Sequence, residues 1–383
     1  MPMTIDRFVP EYSAQSVDDL RNRLRRNRWP DEVPQSGWGY GTNSDFLREA
    51  CDYWGTQFNW QREMERFAAF PHFKTTISGQ EIHFLHVRGK GPAPIPLVLT
   101  HGWPGSFLEF LRIMPLLTDP ASHGAPATDS FDVIVPSLPG YGYSGKPGRG
   151  MNMFAVADLW VELMAKLGYE HFSAQGGDVG AGVTTVLGLR HAERVLGIHL
   201  NFIPGSYRPF LPPSTSPTEE EQTSLKQAAR WVEQQGAYWH MQRTTPLTAA
   251  YALSDSPTGL AAWILEKFRN WSDCSGDPRN TFPIDELLAN VTLYWMTETI
   301  YSSFRMYFEN ASAPLAFGEH DFVTVPCAIA QFPKEIYFPS RTWVERGYNV
   351  HRWTEMDCGG HFAAWEQPEL LAQDLRSFFR EFR

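Results

Sequence analysis

Apolar and polar residues change their spacing along this chain, and each change marks a boundary. Up to about residue 70 the pattern is helical with connecting coil. Ser16 can cap a helix starting near Val17, with Asp18 and Asp19 favourably placed in its first turn. Pro30 and Pro34 stop that helix, residues 31–42 carry Gly and Pro without a period, and a second helical stretch covers 44–67, ahead of Pro71. Then strand spacing takes over. Residues 77–87 read as an extended pair turning at Ser78-Gly79. IPLVLT (95–100) and FDVIVP (131–136) read as buried strands of continuous apolar character. Helical spacing over 153–167 is followed by a short strand at 172–175, a helix ending at Arg190, and a strand over 195–201.

Between Pro204 and about Pro314 the strand signal disappears. This part is helical and aromatic, and it opens on a Pro- and Ser-rich stretch (PFLPPSTSPTEEE) that reads as an entry loop. Strand character returns at 322–325 and 350–353, and a last helix spans 368–382. Strands alternating with helices predict an α/β fold with a mostly parallel sheet covered on both faces. An all-helical insert in such a sheet is a lid. The expected organisation is a helical N-terminal segment (1–75), a first part of the α/β core (76–203), the lid (204–314) and a second part of the core (315–383).

Composition narrows the function. A length of 383 residues fits a main domain with additions. The net charge of −10 argues against nucleic acid, and the Arg-rich run 21–28 reads as a solvated helix face. No apolar run approaches the roughly 18 residues a membrane span needs. The polar first 28 residues do not read as a signal peptide, so a cytoplasmic location is expected. Cys51, Cys274, Cys327 and Cys358 lie far apart without CxxC spacing, which points away from disulfides and zinc. Aromatic residues make up 14% of the chain, a supply that suits an apolar substrate pocket as well as a core.

The chemistry is in QGGDVGAG (175–182), set between a short strand and a helix. A sharp strand-to-helix turn that exposes a nucleophile needs small residues two before and two after it, and here those places hold Gly176 and Gly180. The central residue is Asp178. A serine there would imply acyl transfer, whereas a carboxylate is already anionic at neutral pH and can attack an sp3 carbon without a base. A Gly-rich turn whose Asp merely caps the next helix would look alike locally, so the flanking features matter. The strand IPLVLT runs into HGWPGS (101–106), where the α/β-hydrolase fold draws one backbone N–H of its oxyanion hole; the other comes from the residue after the nucleophile. That assigns the donors to Trp103 and Val179. Near the C-terminus GGHF carries His361 on a Gly-rich loop after the last strand, where the fold's base belongs. SLPGYGYSGKP (137–147) reads as a structural turn.

HGWPGS, QGGDVG and GGHFAAWEQPELLAQD together resemble the epoxide hydrolases of the microsomal and juvenile-hormone type, over nearly the whole chain. FVPEYSAQSVDDLRNRLRRNRWPDE is similar to that branch's N-terminal segment, which wraps lid and core; the membrane anchor of some members is not found. The resemblance implies hydrolysis of a lipophilic epoxide to a vicinal diol through an ester on Asp178, with water activated by His361 and no cofactor or metal. It places the two lid tyrosines that protonate the epoxide oxygen at Tyr238 and Tyr307. The residues alone do not choose them, because Tyr207, Tyr251, Tyr294 and Tyr301 share the region. For the triad acid, Glu335 resembles this branch's acidic position and Asp321 the strand-end Asp of other epoxide hydrolases. An acid positioned by a parallel sheet should follow its strand, and Asp321 precedes FVTVP, so Glu335 is the assignment and Asp321 the alternative.

Two rival functions remain in view. A haloalkane dehalogenase would share the Asp nucleophile but needs halide donors where Trp103 stands, and a non-catalytic ligand-binding homologue would have lost a triad member. The expected partners are a small epoxide and water, with a homodimer left open. A role in detoxification, catabolism or biosynthesis is not legible.

Overall fold

A computed structural model describes residues 4–383. Nine strands form one sheet in the order β1-β2-β3-β5-β4-β6-β7-β8-β9. They are β1 (Ile5–Phe8), β2 (His72–Ile77), β3 (Gln80–Val87), β4 (Ile95–Thr100), β5 (Phe131–Pro136), β6 (Phe172–Gly176), β7 (Val195–Leu200), β8 (Val323–Gln331) and β9 (Tyr348–Glu355). The pairings from β1 to β5 through β3 are antiparallel, and those from β5 through β4 to β9 are parallel. The chain has the α/β-hydrolase fold, and the apolar runs of β4 and β5 are buried because helices cover both faces of the sheet.

The elements differ from the sequence reading in several places. The extended pair begins at His72, so β2 lies almost wholly ahead of the expected start at residue 77. The N-terminal part is not purely helical: β1 adds to the sheet edge with Ile5 opposite Thr75. Four residues, mostly exposed, carry no period long enough to read. The first helix, Ala14–Arg25, is capped by Ser13, whose hydroxyl accepts from the Ser16 N–H at 3.1 Å; Ser16 is a donor there, not the cap. The stretch 44–67 is two helices, Ser44–Thr56 and Trp60–Ala68, the second capped by Asn59. Strand β8 continues past Pro326 to Gln331. Its ladder with β9 shifts register between Val323 and Cys327, which accommodates a residue without an N–H.

Six helices between Glu219 and Ala311 form a separate layer. The chain leaves and rejoins the sheet side by side: the Arg208 N–H donates to Leu315 O at 2.9 Å, and Phe317 N–H to Arg208 O at 2.8 Å. The N-terminal helices are tied to this layer, with the Trp54 indole donating to Thr292 Oγ1 at 2.9 Å and the Tyr53 hydroxyl to Asp285 at 2.8 Å. Among the described residues no helix is long and apolar enough to cross a membrane. Parallel strands leave their chain ends along one edge of a sheet. Here β4, β6, β8 and β9 lead there to HGWPGS, Asp178, Glu335 and His361.

Candidate active site

The turn after β6 is as tight as its glycines suggest. A Cβ on Gly176 would meet Gly180 O at 2.2 Å, and one on Gly180 would meet Thr100 O at 1.9 Å. Between them Asp178 is held at φ +48°, a conformation costly for a side-chain-bearing residue and typical of functional turns. It opens the helix Asp178–Arg190. The Trp103 N–H donates to Asp178 Oδ1 at 2.8 Å, while Val179 follows in the first helical turn. The loop that carries Trp103 is pinned from the helical layer. Asn290 donates to Pro104 O at 2.8 Å, and the Tyr294 hydroxyl to Gly105 O at 2.7 Å.

His361 lies between two carboxylates. Its Nδ1 is 2.6 Å from Glu335 Oε1, and its Nε2 is 3.5 Å from Asp178 Oδ2. Burial opposes a charge on this imidazole, but Glu335 and Asp178 together outweigh it and hold its pKa well above the usual histidine range. The backbone N–H of His361 donates to Trp271 O at 2.9 Å, which ties the loop to the helical layer. Asp321 is elsewhere: it precedes β8 in an exposed turn, where Oδ2 accepts from the Gly318 N–H at 2.8 Å.

Tyr238 and Tyr307 come together above Asp178, with ring centroids 6.2 Å apart. Tyr238 stacks on the Trp103 indole at 5.2 Å and 9°, and Tyr307 meets the same indole edge-on at 5.9 Å. Burial keeps both phenols well above their ordinary pKa, hence un-ionised, and the Tyr307 phenol is near enough to Tyr238 to temper the rise at Tyr238. The other tyrosines of this region are placed differently. Tyr207 donates towards Trp343 O and Val344 O, Tyr294 holds Gly105 O, Tyr251 is exposed, and the Tyr301 ring lies under the Arg305 guanidinium.

Two cavities meet at Asp178. One, of about 660 Å³, is lined by Asp178, Tyr238, Tyr307, Trp231, Val232 and Ile336, among others, with a mainly apolar wall. The other has a volume of about 10 Å³ and is lined by Asp178, His361, Trp103, Phe110 and Glu109. That is about the room one water occupies. Sequence reasoning missed Glu109. In the spelling Ser106-x-x-Glu109 it reads as the far end of a capping box.

An epoxide hydrolase N-terminal family model matches residues 5–110, and an alpha/beta hydrolase fold model matches residues 95–368. Epoxide hydrolase 1 of Sus scrofa is 38% identical over 97% of this chain and 87% of its own length. The chain belongs to the epoxide hydrolase family. Within it the resemblance is to the microsomal and juvenile-hormone type. The crystal structure of juvenile hormone epoxide hydrolase from Bombyx mori superposes with a TM-score of 0.87 at 30% identity, covering 100% of this chain and 95% of that one. The epoxide hydrolase of Aspergillus niger gives 0.86 at 29% identity, covering 99% and 96%. The N-terminal helices and the helical layer of this epoxide hydrolase are therefore part of a shared architecture.

Proposed function

We propose that this enzyme converts a lipophilic epoxide to a vicinal diol in two steps, through a hydroxyalkyl ester on Asp178. The reading rests on Asp178 belonging to the walls of both the apolar cavity and the water-sized pocket beside His361. Substrate reaches the carboxylate from one side and water from the other.

In the first step Oδ2 attacks a ring carbon, since Oδ1 is engaged by the Trp103 N–H. The C–O bond breaks, and the alkoxide takes a proton from the Tyr238–Tyr307 phenol pair, which burial keeps protonated; the phenolate left behind is reprotonated by the proton that the His361 imidazolium gives up before water attacks. In the second step His361, oriented by Glu335, takes a proton from water as its oxygen attacks Asp178 Cγ. The oxyanion forms on the former Oδ1, where Trp103 and Val179 supply the amides. The helical layer acts as the lid that keeps bulk water from the apolar cavity.

The test is a single turnover in oxygen-18 water. The new diol oxygen should come unlabelled from Asp178 in the first turnover and carry label only in later ones. Full label in the first turnover would mean direct attack by water and would overturn the ester.

A further inference from the structure

Glu109 has no structural task that its position explains. Ser106 caps the short helical turn Phe107–Phe110 by accepting the Leu108 N–H, but the Glu109 carboxyl does not complete a capping box. It folds back over Gly105 instead, so closely that a Cβ on that glycine would lie 1.4 Å from Oε1. The glycine therefore clears the path that lets the carboxyl turn toward the site. There it lines the water-sized pocket together with Asp178 and His361. Burial, opposed by His361 and reinforced by Asp178, pushes Glu109 up to about 8, and no hydrogen bond from the protein contributes to that shift. Burial thus favours the uncharged acid, a group with unspent hydrogen-bonding capacity.

We infer that Glu109 holds the hydrolytic water, accepting one of its O–H groups while the other faces His361 Nε2. This rests on the two-step reading above. The second proton of water goes to Nε2 as the oxygen bonds to Asp178 Cγ, and the O–H held by Glu109 stays on that oxygen. When the tetrahedral intermediate collapses, the Cγ–O bond to the alkyl group breaks and the imidazolium gives its proton to the departing alkoxide. The new Asp178 carboxyl proton then passes to His361, restoring the carboxylate–imidazolium pair. Glu109 neither gains nor loses a proton. An uncharged amide should therefore serve in its place.

Rapid-quench mass measurements on Glu109→Leu and Glu109→Gln separate the steps. In Glu109→Leu the ester should form at the wild-type rate and decay at least about tenfold more slowly, so that it accumulates; in Glu109→Gln decay should recover to near wild type. Ester decay at the wild-type rate in the leucine variant, equal slowing of both steps, or a glutamine variant as slow as leucine would overturn the inference. A crystal structure of the wild-type enzyme tests it without any variant: an ordered water should touch both the Glu109 carboxyl and His361 Nε2, and a water touching only His361 would count against it. The parent reading fails separately, if His361→Gln forms no ester at all.

Discussion

His361 Nε2 stands 3.5 Å from Asp178 Oδ2 while Glu335 holds the opposite ring nitrogen at 2.6 Å. The charge on the imidazole therefore depends on the state of Asp178. With Asp178 ionised, two anions outweigh burial and favour the imidazolium. On the proposed two-step reading, an ester at Asp178 removes one of those anions, so the pKa would fall and the ring would become a base when a base is first needed.

The pH dependence of the two steps should differ accordingly. Ester decay needs neutral His361, so its rate should rise with pH through a single limb and then level off, while ester formation should not follow that limb. In Glu335→Gln the remaining anion is removed, which disfavours the imidazolium, so the limb should move to lower pH. Stopped-flow measurement of both steps across pH checks this. A limb shared by the two steps, or one that moves upward, would contradict it.

Replacing the imidazole should divide the reaction. His361→Gln should still be alkylated, because the carboxylate attacks without a base, but should decay so slowly that intact-protein mass shows the substrate added stoichiometrically. Recovery of unmodified protein from prolonged incubation with an epoxide would show that the division is wrong.

The phenols should act on the first step only. Tyr238→Phe or Tyr307→Phe should slow ester formation by roughly 10²-fold, the range seen when one donor to a developing oxyanion is lost. The double change should nearly abolish it. An effect of the same size on ester decay would point to lost packing around Trp103, which both rings touch.

How much of this was legible in the sequence follows from the range of each interaction. β4 and β5 could be read because a buried parallel strand is apolar throughout, and Asp178 stood out because the glycines that clear its turn lie two residues to either side. β1 could not be read, since its four residues become a strand only through pairing with β2. Pro326 hid the second half of β8, because a register shift that admits proline is a property of the pair of strands. Tyr238 and Tyr307 share their segment with four other tyrosines, and only the packing of helices around Trp103 separates them. Glu109 was masked by a local pattern that fits a helix cap.

The elbow glycines give a prediction about stability. Gly180→Ala would drive a methyl to within 1.9 Å of Thr100 O, a backbone atom at the end of a buried strand that cannot rotate away. The cost should be about 1–3 kcal/mol or more in urea unfolding. Because the shift would move the end of β4, the Trp103 N–H should also leave Asp178 Oδ1, and activity should fall further than the lost stability accounts for. A stable, fully active alanine variant would mean that the turn is less tight than these contacts require.

The acid offers the sharpest contrast between two residues of like charge. Glu335 Oε1 is 2.6 Å from His361 Nδ1, while Asp321 spends its carboxylate on the Gly318 N–H in an exposed turn. An imidazole can take a proton from water only when a partner fixes its tautomer and stabilises the resulting cation. Glu335→Gln keeps the volume but removes the anion, so ester decay should slow by roughly 10²-fold or more while ester formation is largely preserved. Asp321→Asn should leave both steps close to wild type, because its loss disturbs only a surface turn. Burst kinetics report the two rates in one experiment. If Asp321→Asn stalls the ester and Glu335→Gln does not, the assignment of the acid is reversed.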